Sequence, residues 1–266
     1  MSEKLGYGVN IGSSHGMPTG RRSSLRPYPI SLALWLVLAV LPAQAEWQIA
    51  AYLGGAHTQS SDVTARLPSL DTDARFRRVG YIGNSFEPPL YYGIRGGNFF
   101  GRHVGVEAEF IHLKVLADIH QPVPAEGTFA GTVLQGPVPL SNFVQRFSIS
   151  HGVNLLLGNL ALRQSWWESG AEKLGRVLVN VRVGFGGTFP HPEIQVNGML
   201  REQYQVGRPV FQAAGGAELR LWRKAYWLAE YKYTYTNQRI SFPRLSGSIE
   251  TLLQSHHLVT GVALHF

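Results

Sequence analysis

The stretch RVLVNVRVGF, Arg176 to Phe185, alternates in polarity along most of its length. Val177, Val179, Val181, Val183 and Phe185 fall on one side of an extended chain, and Arg176, Asn180, Arg182 and Gly184 on the other. Period two describes a strand with two unlike faces; a helix would repeat its apolar positions every three or four residues. The pattern returns downstream. Phe211, Ala213, Ala217, Leu219 and Leu221 oppose Gln212, Glu218 and Arg220. Trp227, Ala229, Tyr231, Tyr233 and Tyr235 oppose Glu230, Lys232 and Thr234. Leu258, Thr260, Val262, Leu264 and Phe266 oppose His257, Gly261, Ala263 and His265. Upstream, strands are read over residues 47–58, 90–100, 104–115 and 143–162. The fold class is all-β.

Two architectures share this parity. A soluble ligand-binding barrel turns its apolar face inward; a membrane barrel turns it toward lipid and keeps polar residues in the lumen. Arg95, Arg182, Arg220 and Lys232 share the polar faces with Glu107, Glu109, Glu218 and Glu230. Equal numbers of each sign are what a narrow, filled interior requires, because unpaired buried charge is costly. Large aromatics at the ends of the apolar faces suit membrane interfaces. The expectation is an eight-stranded antiparallel transmembrane β-barrel of the cell outer membrane. The terminal Phe266 closes an alternating strand and is expected to be read by the barrel assembly machinery. Tight turns at 100–103 and 222–225 alternate with long Pro-, Gly- and Ser-rich connections at 59–88, 117–142, 190–207 and 238–250, which are expected outside the cell. Residues 164–173 are long for a periplasmic turn, and their two Trp residues have no evident reason in the sequence.

Composition agrees with a wall facing lipid. Charged residues are 15% of the 266, well below the ~25% of ordinary globular domains, while 44% hydrophobic content argues against disorder. There is no Cys, so disulfides, thiolate metal sites and Cys nucleophiles are excluded together. Ile30–Pro42 is a short apolar run preceded by Arg21, Arg22 and Arg26 and followed by Ala43-Gln44-Ala45, the pattern of a secretory signal peptide cleaved after Ala45. Residues 1–45 are thus an N-terminal extension with signal peptide, and 46–266 the barrel. Met17 is a second candidate start, and Arg21-Arg22 a partial twin-arginine signal. The first 45 residues hold Lys4, Arg21, Arg22 and Arg26 against Glu3, so +4 of the formal +7 remains after them. No basic cluster remains there, and no nucleic-acid partner is expected.

A filled eight-stranded barrel is too narrow for a pore, so function is sought at the rim, loops or lipid-facing wall. His112, His151, His191 and His256 all fall near outer strand ends with the parity of apolar neighbours. Ionisable groups on a lipid-facing wall are expensive and tend to mark function. His112, His151 and His191 are on successive strands and would share a patch; His256 is three strands from His112. A bulge would instead turn them inward toward Glu109. The candidate catalytic residues are His112, His151, His191 and Glu109, and the candidate metal ligands His112, His151, His191 and His256, because imidazoles bind metals and carry protons near neutrality. The plainer reading of the same spacing is an interfacial belt hydrogen-bonding headgroups. Lys114 has either a lipid phosphate or ordinary snorkelling as its reason. Ser150 beside His151 fails as a nucleophile–base pair, since neighbours in a strand point oppositely.

The segments FIHLKV (Phe110–Val115), SHGVNLLLGNLALR (Ser150–Arg163), FPHPEI (Phe189–Ile194), GRPVFQAAGGAELRL (Gly207–Leu221), AEYKYTY (Ala229–Tyr235) and HHLVTGVALHF (His256–Phe266) resemble those of small outer-membrane barrels of the lipid A oxidase-like kind. The resemblance covers most of residues 90–266 and is densest in the His-bearing segments. It implies a Gram-negative outer membrane and oxidation of the proximal glucosamine of lipid A to 2-aminogluconate, with molecular oxygen as co-substrate. It assigns no roles to single residues. The expected partners are lipid A and outer-membrane lipid. The cofactor is open, a divalent metal being one candidate. A non-enzymatic structural or adhesion barrel is the alternative.

Overall fold

The computed structural model describes residues 45–149, 152–168 and 174–266. The signal peptide and N-terminal extension, His151, Ser150 and part of the 164–173 turn lie outside the described residues.

Eight strands follow one another around a closed antiparallel barrel: β1 (Ala45–Thr58), β2 (Tyr92–Phe100), β3 (Val104–His112), β4 (Leu155–Trp166), β5 (Val177–Thr188), β6 (Pro209–Trp222), β7 (Ala225–Phe242) and β8 (Gly247–His265). β1 closes on β8 with Gln48 opposite His265 and Thr58 opposite Ser255. Closure removes the free edges that an open sheet would leave in lipid. The quoted stretch behaves as its period demands. Val179, Val181, Val183 and Phe185 are exposed on β5, while Leu178, Asn180 and Arg182 are buried.

The inside is a charged core. Arg182 bonds Glu107 (Nε–Oε2, 2.7 Å) and Glu230 (2.5 Å), and Arg95 bonds Glu230 (3.0 Å) and Glu109 (3.3 Å). Lys232 donates to Glu109 at 2.6 Å and to Glu230. The balance differs from the sequence expectation in one cation. Arg220 sits at the periplasmic end on the Tyr226 hydroxyl (2.9 Å) and the carbonyls of Leu174 and Gly175. Arg163 and His265 fill its place. Arg163 pairs with Glu46 at 2.7 Å, and the two nitrogens of His265 lie 2.7 Å from Glu46 and 2.7 Å from Glu218. Ionised carboxylates only accept, so the ring donates from both nitrogens and carries charge. Arg95, Arg163, Arg182, Lys232 and His265 then balance Glu46, Glu107, Glu109, Glu218 and Glu230.

The outside is a lipid wall with aromatic ends. Phe185, Phe211 and Tyr235 lie side by side in register near the outer end, the two Phe rings 5.1 Å apart. Trp47, Trp222, Trp227 and Phe266 are exposed near the other end, and so are Trp166 and Trp167. The two Trp residues of the 164–173 turn therefore join the periplasmic girdle.

Two sequence-read strands are shorter than expected. Residues 143–162 divide into Val144–Ile149 and β4, and 104–115 divides after His112. The first of these breaks holds a left-handed turn: Gly152 has φ +101° and Asn154 φ 46°. The long outer connections are largely strand. Ser61–Leu67, Thr72–Val79, Pro122–Phe129 and Pro137–Pro139 extend the barrel sheet upward from β8. Met199–Glu202, Glu193–Val196, Val144–Ile149, Val115–Ala117 and Tyr81–Ile82 form a second sheet. Buried side chains of both sheets, including Phe76, Phe129, Phe147, Ile194 and Ile249, share one apolar core. The Phe129 and Phe143 rings meet at 4.9 Å. Outward Arg75 and Arg77 pair with Asp62 (2.6 Å) and Glu126 (2.8 Å). The barrel thus carries a packed extracellular extension.

Candidate functional site

Glu109 lies inside the barrel. Its carboxylate accepts from Tyr52 (2.6 Å), Lys232 (2.6 Å), Asn159 (2.8 Å), Gln212 (2.7 Å) and Arg95 (3.3 Å), which uses its lone pairs within the charged core. The barrel wall separates it from the outward His112, since odd and even positions of β3 face opposite ways. His256 sits on β8 and belongs to another part of the wall, with Gln59 (2.7 Å) and Tyr231 (2.6 Å) as partners.

A groove of 390 Å³ on the outer side of β2, β3 and β4 is lined by Tyr92, Phe110, His112, Asn154, Leu156, Phe189 and Tyr204; His191 does not line it and adjoins it behind Tyr204. The Tyr204 ring lies 4.3 Å from that of His191. The His191 N–H donates to the Gly152 carbonyl (3.2 Å) and that of Phe189 to the Asn154 carbonyl (2.8 Å), which ties this segment to the turn beside His112. Glu193 is buried close by in sequence and ion-pairs with Arg146.

His112 is only 6% exposed although it faces outward. Its ring stacks on Tyr92 at 5.2 Å and 18°. Gly152 backs the other atoms: a Cβ there would stand 2.4 Å from His112 Cε1 and 2.5 Å from Nδ1. Only glycine allows both this approach and its φ. Nδ1 lies 2.8 Å from Asn154 Oδ1. The Asn154 amide nitrogen donates to the carbonyls of Phe189 (3.1 Å) and Gly152 (3.5 Å), which fixes its oxygen on the imidazole. An amide oxygen can only accept, so Nδ1 carries a proton, and in the neutral ring Nε2 has the lone pair. Nε2 has no hydrogen-bond partner among the described residues. A buried, oriented imidazole with a free lone pair is equipped to accept a proton or ligate a metal.

As for a metal, no group of three or more His, Asp or Glu capable of holding one occurs among the described residues. His112 and His256 are three strands apart, and Glu109 is within the barrel. His151, the remaining candidate ligand, lies outside the described residues.

Asn154, Tyr92 and Tyr204 complete the site beyond the sequence-read residues. The Gly152-Val153-Asn154 run carried a turn signal that would have located Asn154. Nothing local marked Tyr204, which reaches the groove from a distant segment.

No family model and no curated protein matches the chain. Among solved structures it is similar to the outer membrane protein OprG from Pseudomonas aeruginosa, at 13% identity over 84% of this chain and 96% of that one, TM-score 0.42. It is also similar to Ail, the attachment invasion locus protein of Yersinia pestis, at 11% identity over 83% and 99%, TM-score 0.37. The outer membrane protease OmpT from Escherichia coli follows at 8% identity over 85% and 97%, TM-score 0.29. With a closed antiparallel barrel, a charged filled interior, an apolar outer wall and aromatic girdles, the chain is an outer-membrane β-barrel.

Proposed function

We propose that the protein acts on lipid A at the groove of β2, β3 and β4, and that the reaction is the oxygen-dependent oxidation of the proximal glucosamine to 2-aminogluconate which the sequence resemblance implies. The observation supporting a reactive site there is His112, buried on the lipid-facing side with a tautomer set by Asn154. In the proposed reaction the C1–H bond passes its hydrogen and electron pair to molecular oxygen, released as hydrogen peroxide. The lactone left at C1 takes up water to give 2-aminogluconate, a net gain of one oxygen, and as the lactone forms the free C1 hydroxyl loses a proton. His112 Nε2 accepts that proton, and Asn154 positions the ring. Tyr92 and Tyr204, both exposed, flank the sugar. Nε2 is covered in the free protein, so sugar binding requires one of these side chains to shift. No step is assigned to a metal.

The test is mass spectrometry of lipid A from cells with and without the protein, grown with oxygen. One added oxygen is expected only in cells that make it; identical spectra would overturn the reading. One observation favours the alternative of an adhesion or structural barrel: the packed extracellular extension, whose ordered surface suits a macromolecular partner. Phe266, exposed at the end of the chain, would serve the assembly machinery, and Phe266→Ala is expected to lower the amount of assembled barrel.

A further inference from the structure

A second groove, of 1040 Å³, crosses the outer faces of β1, β8 and β7. Register explains its floor. Gly55 faces Leu258, while Leu53 and Ala229 flank Thr260, so small groups at 55, 229 and 260 sink the surface beside Leu53 and Leu258. Residues 83–87 overhang it from the outer end. The Ala56 N–H donates to Ser85 Oγ (3.0 Å), the Tyr91 N–H to the Ser85 carbonyl (2.9 Å) and the Glu87 N–H to the Asn84 carbonyl (3.1 Å). These bonds hold Phe86 beside Gly55 while its ring stays 82% exposed. Phe86 is thus fixed against a lipid-facing wall and has no ring partner among the described residues.

The groove is graded in polarity. Its lower part is aliphatic and continuous with the lipid wall. Its outer end carries His57, Asn84 and Glu87. His57 is the cross-strand partner of His256. Gln59 and Tyr231 occupy both nitrogens of His256, whereas His57 is exposed and makes no side-chain hydrogen bond among the described residues. No Lys or Arg lines the groove. Uncharged and acidic hydrogen-bonding groups suit sugar hydroxyls, while a phosphate headgroup would call for cations.

We infer that this groove holds one acyl chain of an outer-leaflet glycolipid of the lipid A type, laid between Leu53, Leu258 and Phe86, with a sugar face that carries no phosphate turned to this end and one of its hydroxyls hydrogen-bonded to His57. The site is separate from the His112 groove and stands or falls independently of the reaction proposed there.

Gly55 allows a clean test. A Cβ at this position meets nothing closer than 3.7 Å, so Gly55→Leu fills the groove without moving backbone. Purified full-length protein in detergent is incubated with lipid A freed of its phosphates or with phosphatidylethanolamine, and retained lipid is counted by native mass spectrometry. Wild type is expected to retain one lipid A and little phosphatidylethanolamine. Gly55→Leu is expected to weaken retention by about tenfold, the equivalent of about two methylenes of chain expelled. Phe86→Ser removes the overhang from the surface and is expected to do the same should Gly55→Leu assemble poorly. Equal retention of the two lipids, or unchanged lipid A retention in a folded variant, overturns the site. Lipid A from cells making Gly55→Leu reports on the reaction separately.

Discussion

Replacing Lys232 by Met tests the charged core. The ammonium is fully buried, sits 4.8 Å over the Tyr52 ring, and bonds Glu109 at 2.6 Å as well as Glu230. Met keeps most of the volume and removes the charge. Glu109 and Glu230 are then left with Arg95 between them, and Glu230 with Arg182. Breaking a buried ion pair from one side costs roughly 3–5 kcal/mol because the remaining charge stays uncompensated. That corresponds to roughly two to three and a half powers of ten in the folding equilibrium. The loss of the cation–π contact falls inside this range, since the two effects share one group. The assay is equilibrium unfolding in detergent, read by the mobility difference between folded and unfolded barrel on gels. Lys232→Met combined with Glu109→Gln removes both members of one pair and is expected to recover about 2 kcal/mol of the loss. A single variant within 1 kcal/mol of wild type, or a double variant worse than the single, would refute the idea that balance holds the interior together.

Three further outcomes follow from the same geometry. Leu160, 48% exposed midway along β4, faces hydrocarbon, so Leu160→Arg should cost about 2–4 kcal/mol in lipid unfolding measurements, whereas Val133→Arg on the extracellular extension should stay within about 0.5 kcal/mol. Gly152→Ala brings a methyl onto the His112 ring at an unfavourable φ, and is expected to cost more than ~1 kcal/mol and abolish any lipid A modification; a stable variant with full modification would contradict the packing described. At Asp62, slight burial raises the carboxyl pKa, but the Arg78 N–H and the Arg75 guanidinium outweigh it and hold it below the usual carboxylate range. With the folded value depressed, this contribution to the 61–79 hairpin is present above the ordinary carboxylate range and is lost as pH falls through the lowered value. Protection of the Arg78 amide, taken relative to its intrinsic exchange rate at each pH, should fall on acidification in wild type and not in Asp62→Asn.

The barrel was legible because its strands carry two unlike faces. Val179, Val181 and Val183 against Asn180 and Arg182 fix both the period and the side that meets lipid. The outer extension was also written in period two, in Val63-x-Ala65-x-Leu67 and Ala74-x-Phe76, yet these runs are short and lie among Pro, Gly and Ser. Their pairing depends on partners far away in sequence, and composition alone reads them as loops. The interior balance was legible in its sum and not in its members. Arg220 has lumen parity but lies at a strand end, where the chain turns and carbonyls are free to receive it. Parity likewise placed His112 on the outer wall and Glu109 within. It could not show Asn154 setting the tautomer of His112, because that contact depends on a left-handed turn ending one strand and starting another.

The central claim is that a reactive imidazole at the groove of β2, β3 and β4 faces lipid A. It is tested most directly by lipid A mass spectra from cells making wild type, His112→Gln or His256→Gln in matched, folded amounts. The account predicts one added oxygen with wild type and with His256→Gln, and none with His112→Gln. Modification that survives His112→Gln, or that is absent from all three, would contradict it.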